Sequence, residues 1–309
     1  MIQLYYALFQ IIVCGVLGFV LRKSRVIDER TEKSLTEILL QAVLPFSIIA
    51  SSQFTYSMEL VEGMADVAMA SAIYYSLSLL IISLILRKTK INPDEKRVMR
   101  TAMIFANTGF MGLPLMEALF GQSALLLGSI YNIMYNVFFY TIGVHILSGE
   151  KFKPKQLFMN PVTAASILAI VLFVIPWRMP EFVIGTINLV GDMTIPLSMI
   201  IAGSIMTTID VKKIFVDRNS FIVSFVRLIL LPAIMFGLVI LASKYIPLSK
   251  ETASVIVMMT AMPCGIMNVL YAEKENTAPK FAARTVVMSF ALMLLTVPIF
   301  AFLCSKYLG

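Results

Sequence analysis

Residues 106–114 read Ala-Asn-Thr-Gly-Phe-Met-Gly-Leu-Pro, and they interrupt an apolar stretch that runs roughly from residue 98 to residue 119. An uninterrupted helix is the cheapest way across a lipid bilayer, because each unsatisfied backbone group in lipid costs several kcal/mol. Glycines, a proline and an amide side chain at this depth therefore predict a broken helix. Residues 261–268, Ala-Met-Pro-Cys-Gly-Ile-Met-Asn, predict a second break in another apolar stretch.

The composition of the chain indicates a membrane protein. Of the 309 residues, 59% are apolar and 14% are charged, whereas a soluble domain keeps roughly a quarter of its residues charged. Apolar windows long enough to cross a hydrocarbon core of ~30 Å as a helix predict an all-α polytopic protein with ten spans. The predicted spans run roughly over residues 2–21, 34–53, 65–86, 98–119, 123–148, 160–176, 182–208, 220–243, 252–272 and 282–305.

Lysine and arginine are concentrated in the loops that follow the odd-numbered spans. These loops cover residues 22–33, 87–100, 151–155, 212–218 and 274–284. Loops rich in basic residues stay in the cytoplasm, so both termini are expected outside. This bias, together with the lack of an organelle-targeting segment, favours a bacterial cytoplasmic (inner) membrane. The net charge of +7 is thus explained by membrane orientation and predicts no nucleic-acid partner.

A repeated motif divides the chain into two halves. Span two contains Leu-Pro-Phe-Ser from residue 44, and the seventh span contains Ile-Pro-Leu-Ser from residue 195. The two broken stretches likewise occupy matching positions, as spans four and nine. We predict one five-helix repeat over residues 1–150 and a second over residues 151–309. Since five is odd, the second repeat is inverted, a transporter plan that places the substrate near the midplane at the breaks.

Enzyme chemistry is disfavoured by the residue content. His145 is the only histidine, which argues against a catalytic triad or a histidine-rich metal site. The cysteines at 14, 264 and 304 lie in apolar stretches and fit neither a disulfide framework nor a zinc site. We therefore expect no metal, no cofactor and no catalytic residue. The chain also lacks a Gly-x4-Gly-Lys-Ser/Thr nucleotide motif, so an ion or substrate gradient would drive transport.

Polar residues at the breaks are candidates for binding a carboxylate. Helix N-termini supply backbone N–H groups and a favourable dipole, and broken helices would present two such ends. Side chains that could add donors are Asn107, Thr108, Asn132, Asn136 and Asn268. Glycines that could permit unusual backbone angles and close approach are Gly109, Gly112 and Gly265. The alternative for each asparagine is a helix–helix hydrogen bond of about 1 kcal/mol.

Two charged residues inside predicted spans, Asp192 and Arg227, are candidates for a part in the mechanism. Asp192 falls near the centre of span seven, where a carboxylate by default marks an ion or proton pathway or a buried pair. We expect it to be desolvated and either to carry a coupling proton or to serve as a structural partner. Arg227 lies in span eight, where its long side chain is expected to reach the cytoplasmic interface; the alternative is that it attracts anions toward the inner vestibule. Ser47 and Ser198 follow prolines and could bond freed carbonyls.

The stretch Asn107-Thr-Gly-Phe-Met-Gly-Leu-Pro114, with Pro263 and the later Tyr271-Ala272-Glu273, resembles the auxin efflux carrier family. The resemblance covers the whole chain. It implies a fold like that of bile-acid symporters and sodium/proton antiporters, in which broken helices four and nine cross. It also implies a scaffold domain of helices 1, 2, 6 and 7, a transport domain of helices 3–5 and 8–10, and a homodimer formed through the scaffold.

The resemblance also implies a substrate site at the crossing of the broken helices. In plant carriers, the substrate carboxylate meets an asparagine of helix four and polar residues of helices two and five. The implied binding residues here are Asn107, Thr108, Gly109, Gly112, Pro114, Tyr131, Asn132, Asn136, Ser47, Pro263, Cys264, Gly265 and Asn268. Tyr131 stands where the plant pattern has glutamine and Asn136 where it has tyrosine, which favours a small organic anion over an aromatic, auxin-like acid.

The sequence thus predicts a secondary transporter of small organic anions, such as mono- or dicarboxylates or auxin-like acids. We expect elevator-type alternating access and a possible coupling to protons. A sodium- or proton-coupled cation carrier of the same fold is the alternative, and it would favour clustered acidic residues within the membrane. A channel or sensor, and then a membrane enzyme, follow in order.

Overall fold

The computed structural model describes residues 2–53, 57–148, 159–175, 178–207 and 217–308, and these residues fold entirely into helices and connecting turns apart from one isolated β-bridge. The basic residues predicted at 151–155 and 212–213 lie outside these ranges. In chain order the helices are α1 Ile2–Lys23, α2 Glu29–Ile38, α3 Leu44–Ala50, α4 Met58–Arg87, α5 Pro93–Ile104, α6 Leu113–Phe120, α7 Gln122–Phe138, α8 Val144–Ser148, α9 Pro161–Val174, α10 Glu181–Gly191, α11 Thr194–Met206, α12 Arg218–Phe225, α13 Leu231–Ala242, α14 Lys250–Thr260, α15 Met267–Lys274 and α16 Pro279–Tyr307. Wider π-helical turns cover Leu39–Val43, Thr108–Gly112, Phe139–Gly143 and Val226–Leu230.

Short polar residues fix where several helices begin. Ser57 accepts a hydrogen bond from the Leu60 N–H at the start of α4, and Ser249 accepts one from the Thr252 N–H at the start of α14. At the start of α2, the Asp28 carboxylate accepts the Thr31 N–H at 2.7 Å. A hydrogen bond from the Thr31 side chain, together with this backbone bond, holds the pKa of Asp28 below its usual range, because both stabilise the charged form. Each cap satisfies an N–H group that the helix itself leaves unpaired.

Six helical stretches among the described residues are long and apolar enough to cross a membrane. They are Glu29–Gln53, Met58–Arg87, Gln122–Ser148, Glu181–Ile205, Arg218–Ala242 and Pro279–Tyr307. Helix α4 exposes apolar side chains such as Leu80, Leu84 and Ile85, which are 57%, 53% and 59% exposed. Lipid accommodates such a surface, whereas water would not. The predicted class of polytopic helical membrane protein is therefore confirmed, and the count of ten spans stays a prediction.

Both predicted breaks are present. A third break, which was not predicted, occurs in the seventh predicted span. Helix α5 ends at Ile104, and the chain continues as a π turn only from Thr108. Helix α14 ends at Thr260, and helix α15 begins at Met267. The seventh predicted span is divided between α10 and α11, with Asp192 directly after α10.

Glycines let several helices approach one another closely. A Cβ atom added at Gly18 of α1 would overlap the backbone of Ile200 in α11, and one added at Gly203 of α11 would overlap the backbone of Gly15. Gly191, at the end of α10, lies against the backbone of Ser47 in α3. The two Pro-x-Ser segments identified in the sequence therefore belong to neighbouring parts of the structure.

Candidate functional site: the crossing of two broken helices

The two breaks meet through their backbones. The Asn107 N–H donates to the Pro263 carbonyl at 2.7 Å, and the Gly265 N–H donates to the Phe105 carbonyl at 3.0 Å. These bonds form an antiparallel bridge between Ala106 and Cys264. Each break thus satisfies backbone groups that the other leaves open, as the interior of a membrane requires.

Two buried asparagines at the bridge have atoms without partners. Asn107 is 6% exposed and Asn268 is fully buried. The Asn107 Nδ2 and the Asn268 Oδ1 form no hydrogen bond with any described residue. The Asn268 Nδ2 donates to the Gly265 carbonyl at 2.9 Å and thereby supports the break. A buried polar atom left unpaired costs about 1–3 kcal/mol, so the free Asn107 donor fits a site completed by a ligand.

The residues after the bridge add further donors. Thr108 begins the π turn that leads into α6, and the first N–H groups of a helical segment have no carbonyl of their own to bond. The Thr108 hydroxyl donates to the Asn132 Oδ1 at 2.8 Å. That bond directs the side chain of Asn132, in α7, toward the break and occupies the Asn132 Oδ1. The Asn132 Nδ2 then remains as a hydrogen-bond donor. The structure therefore brings Thr108 and Asn132 together beside Asn107.

Other predicted site residues are held by structural contacts. The Tyr131 hydroxyl bonds the Thr260 Oγ1 at 2.9 Å, at the end of α14. The Asn136 Nδ2 donates to the Thr163 Oγ1 of α9 at 2.7 Å, the helix–helix bond considered as its alternative. The Cys264 N–H donates to the Ser289 Oγ of α16 at 3.0 Å. Pro114 lies in the first turn of α6, where its missing N–H leaves no unpaired donor.

The glycines at the breaks provide space rather than unusual backbone angles. A Cβ at Gly265 would lie 3.0 Å from the Ala106 carbonyl oxygen, and one at Gly112 would lie 3.0 Å from the Met259 sulfur. One at Gly109 would lie 3.4 Å from the Asn132 Oδ1. Among described glycines only Gly121 has a positive φ. Gly265 and Gly112 therefore lie in close contact with their neighbours, Gly109 has an ordinary contact distance, and none of the three has a positive φ.

A second polar cluster lies between α3, α6 and the end of α10. The Ser47 hydroxyl contacts both Glu117 carboxylate oxygens, at 3.0 and 2.9 Å, so it does not bond a carbonyl freed by Pro45. Ser198 does bond a backbone carbonyl, that of Ile195. Asp192 interacts electrostatically with Glu117. Asp192 is itself exposed on the protein surface, and its role in coupling stays a prediction.

Arg227 is the most unexpected member of the site. Its side chain is fully buried, so the prediction that it reaches the cytoplasmic interface is wrong. Its guanidinium donates to the carbonyls of Met103, Ile104, Thr260 and Met262. The sequence shows an arginine within an apolar span. Its hydrogen-bond partners could not be predicted, because they lie more than thirty residues away along the chain.

Aromatic side chains pack behind the first break. Phe105 stacks on Tyr75 with ring centroids 5.6 Å apart and meets Tyr135 and Phe139 edge-on. Tyr75 also contacts Tyr131. Edge-on and stacked pairs of this kind each add about 0.5–1.5 kcal/mol beyond area burial. The cluster packs closely against this side of the break, and the sequence pattern did not predict it.

Away from the crossing, a groove of about 750 Å³ runs between α4 and the stretch formed by α12 and α13. Its described lining is almost entirely apolar, for example Ile73, Leu77 and Leu238, and contains no lysine, arginine, asparagine or glutamine. A carboxylate needs hydrogen-bond donors or positive charge when it leaves water. The crossing of the breaks, rather than this groove, therefore has the chemistry for an anion.

Comparison with known proteins places this geometry in a protein family. The family model described as "Membrane transport protein" matches residues 3–156 and again residues 147–301. An uncharacterized transporter of Methanothermobacter thermautotrophicus is 23% identical over 297 residues, which cover 94% of this chain and 95% of that protein. An uncharacterized transporter of Methanocaldococcus jannaschii is 23% identical over 210 residues, 65% of this chain and 66% of that protein.

A plant protein is similar to part of the chain. The auxin efflux carrier component 8 of Arabidopsis thaliana is 25% identical over 154 residues, which cover 48% of this chain and 41% of the plant protein. The two family matches together span nearly the whole sequence. The helical fold, the crossing breaks and these similarities agree, and the chain belongs to the membrane transport protein family of auxin efflux carriers and is a membrane transporter.

Proposed function

We propose that this protein is a secondary transporter of small organic anions that binds the substrate carboxylate at the crossing of its two broken helices. The observation that carries the proposal is the unpartnered Nδ2 of buried Asn107. It lies beside the start of the π turn at Thr108, whose backbone N–H groups and dipole favour negative charge. Asn132 adds a third donor.

The substrate class follows from the chemistry of these groups. Amide and backbone N–H donors recognise carboxylate oxygens, and the described site residues contribute no carboxylate to repel them. Tyr131 and Asn136 are occupied by Thr260 and Thr163, so they shape the site instead of binding substrate. A compact mono- or dicarboxylate fits this closely packed site better than an aromatic acid. Auxin is named only for the plant relative.

The transport mechanism we propose is elevator-type alternating access. The two family matches, to residues 3–156 and 147–301, support two repeats over 1–150 and 151–309, with ten spans in inverted halves. Predicted spans 1, 2, 6 and 7 would form the scaffold. The close contacts of α1 with α11 and of α3 with α10 support this, because they join spans 1 and 2 to span 7. Predicted spans 3–5 and 8–10 would move together with the crossing. A homodimer would form through the scaffold.

The proposal also includes the orientation of the protein in the membrane and the coupling of transport to protons. The basic loops support an orientation in which both termini lie on the outer side of the cytoplasmic membrane. Asp192 and Glu117 lie where α6 meets α3 and α10, at the boundary between the proposed domains, so proton binding there could be linked to movement. In proteoliposomes, Asp192→Asn is expected to weaken the effect of an imposed pH gradient on uptake. An unchanged dependence in both Asp192→Asn and Glu117→Gln would reject this coupling site.

The alternative of a cation carrier is less well supported. Such a carrier would need acidic side chains or free carbonyls at the crossing to replace the water around a cation. Here the carbonyls that end α5 and α14 already accept hydrogen bonds from Arg227. A fixed positive charge at this place repels a second cation.

A thermal-stability panel tests the anion site. The purified protein would be heated with mono- and dicarboxylates, auxin-like acids, amino acids or Na⁺, because a ligand of the folded state raises the apparent stability. We expect a carboxylate to raise the melting temperature of the wild type and of Asn188→Ala, but not of Asn107→Ala. Stabilisation by Na⁺ alone, with no response to any anion, would favour the cation carrier.

A further inference from the structure

Arg227 occupies a position where a charge needs compensation. It lies in the π turn Val226–Leu230 between α12 and α13, and its side chain is fully buried. No carboxylate in the described part of the chain forms an ion pair with it. Removing one partner of a buried ion pair destabilises a protein strongly, so an arginine buried without a carboxylate needs another source of negative potential.

The carbonyl ends of the two broken helices provide that potential. The Arg227 Nη1 donates to the Ile104 and Met103 carbonyls at 2.9 and 3.2 Å, at the end of α5. The Nη2 donates to the Thr260 carbonyl, and the Nε donates to the Met262 carbonyl at 3.1 Å, at the end of α14. The Nη1 also donates to the Tyr74 hydroxyl, which in turn donates to the Ile104 carbonyl at 3.0 Å.

The partial charges of the helix ends and the charge of Arg227 together determine the net potential at the crossing. Each helix C-terminus carries roughly half a negative charge and each N-terminus roughly half a positive charge. One guanidinium therefore offsets the ends of α5 and α14 together. The helical segments that begin at Thr108 and Met267 keep their positive ends. The net potential at the crossing is positive, on the side where the unpartnered Asn107 donor lies.

We propose that Arg227 is a built-in cation of the crossing, which fills the space between the carbonyl ends where a bound metal ion could otherwise sit. It fixes the two breaks together and makes the site selective for an anion without a metal ion as co-substrate. The anion-selectivity part rests on the proposed function. The replacement of a metal ion by the guanidinium does not, because it concerns only Arg227 and backbone carbonyls.

The test compares cations in the absence of any carboxylate substrate. Wild type, Arg227→Ala and the control Arg30→Ala, which removes an exposed arginine, would be heated in choline, Na⁺, K⁺ or methylguanidinium chloride at equal millimolar concentration. The wild type and Arg30→Ala are expected to melt at the same temperature in all four salts. Arg227→Ala is expected to melt lower in choline and to regain stability with methylguanidinium or Na⁺, as a ligand that refills a vacated site would cause.

Arg227→Lys and Arg227→Gln extend the test to substrate. Both would be compared for binding of the carboxylate that stabilises the wild type. The lysine variant keeps the charge and is expected to bind the anion, while the glutamine variant is expected to lose binding. The lysine variant also replaces Arg227→Ala in the salt comparison if the alanine protein cannot be purified, and it should then remain insensitive to Na⁺.

The outcomes separate the two proposals. If the wild type requires Na⁺ for stability, or if folded Arg227→Ala responds to methylguanidinium no more than Arg30→Ala does, the built-in cation is contradicted. A lysine variant that becomes sensitive to Na⁺ contradicts it as well. If no carboxylate binds the wild type while Arg227→Ala is still rescued by methylguanidinium, the anion-transport proposal fails and the role of Arg227 as a replacement cation stands.

Discussion

Single side chains at the crossing differ in whether their hydrogen bonds are complete. Asn107 keeps a free donor, whereas Tyr131 and Asn136 are bonded to other helices. This difference separates residues that can bind a substrate from residues that hold the helices in place. It could not be read from the sequence, where all three are polar residues at similar depth.

Asn107→Asp keeps the size of the side chain and replaces its donor by a negatively charged acceptor. Because like charges repel and the donor is lost, we expect this variant to lose carboxylate binding more completely than Asn107→Ala. Titration calorimetry with the stabilising carboxylate measures the affinity. Asn188→Asp serves as a control for the added charge. Equal affinity in wild type and Asn107→Asp would exclude Asn107 from the site.

Tyr131→Phe removes only the hydroxyl that bonds Thr260. The Thr260 hydroxyl also donates to the Ile256 carbonyl at 2.8 Å, so it keeps one partner. We expect a loss of about 0.5–1.5 kcal/mol in the free energy of unfolding, with carboxylate affinity nearly unchanged. A large loss of affinity in a stable Tyr131→Phe protein would show that the hydroxyl binds substrate.

At the scale of elements, the breaks depend on close backbone approach. A Cβ at Gly265 would lie 3.0 and 3.2 Å from the Ala106 and Phe105 carbonyl oxygens, so Gly265→Ala should separate the bridge. We expect a loss of about 1–3 kcal/mol in thermal unfolding, together with weaker carboxylate binding. Gly237→Ala is the matched control, because nothing lies within 4 Å of its added Cβ. Equal melting temperatures for the two variants would contradict the tight bridge.

The contact between α1 and α11 depends on glycine in the same way. A Cβ at Gly18 would overlap the Ile200 backbone, whereas one at Gly185 of α10 would meet nothing within 4 Å. Gly18→Ala is therefore expected to destabilise the protein by about 3 kcal/mol or more, and Gly185→Ala is not. Unfolding temperatures in detergent measure both. A stable Gly18→Ala protein would mean that α1 packs on α11 less closely.

The sequence predicted the elements better than their contacts. The breaks near Asn107 and Pro263 followed from Pro, Gly and Asn within apolar stretches, because these residues are unfavourable in an uninterrupted helix. The contacts of Arg227 and of Glu117 with Ser47 did not follow, since they join distant parts of the chain. The π turns were also not predicted, because turns such as Leu39–Val43 and Phe139–Gly143 share no sequence pattern that marks them.

At the scale of the whole molecule, the charges form a simple arrangement. The crossing has a buried cation, two helix C-termini that bond it and two helical N-termini, to which we assign the proposed anion. The surface of helices such as α4 is apolar and suits lipid. Membership of a transporter family and a polar site enclosed within an apolar body both agree with the proposed alternating access to a small anion.

Counterflow in proteoliposomes tests the transport of an organic anion most directly. Vesicles loaded with the unlabelled carboxylate identified by thermal stabilisation would be diluted into the same carboxylate in radiolabelled form. Wild type and Asn188→Ala are expected to accumulate label transiently without added Na⁺, and Asn107→Ala is not. Accumulation by Asn107→Ala at the wild-type rate, or none by a wild type that binds the carboxylate, would contradict transport through the crossing of the broken helices.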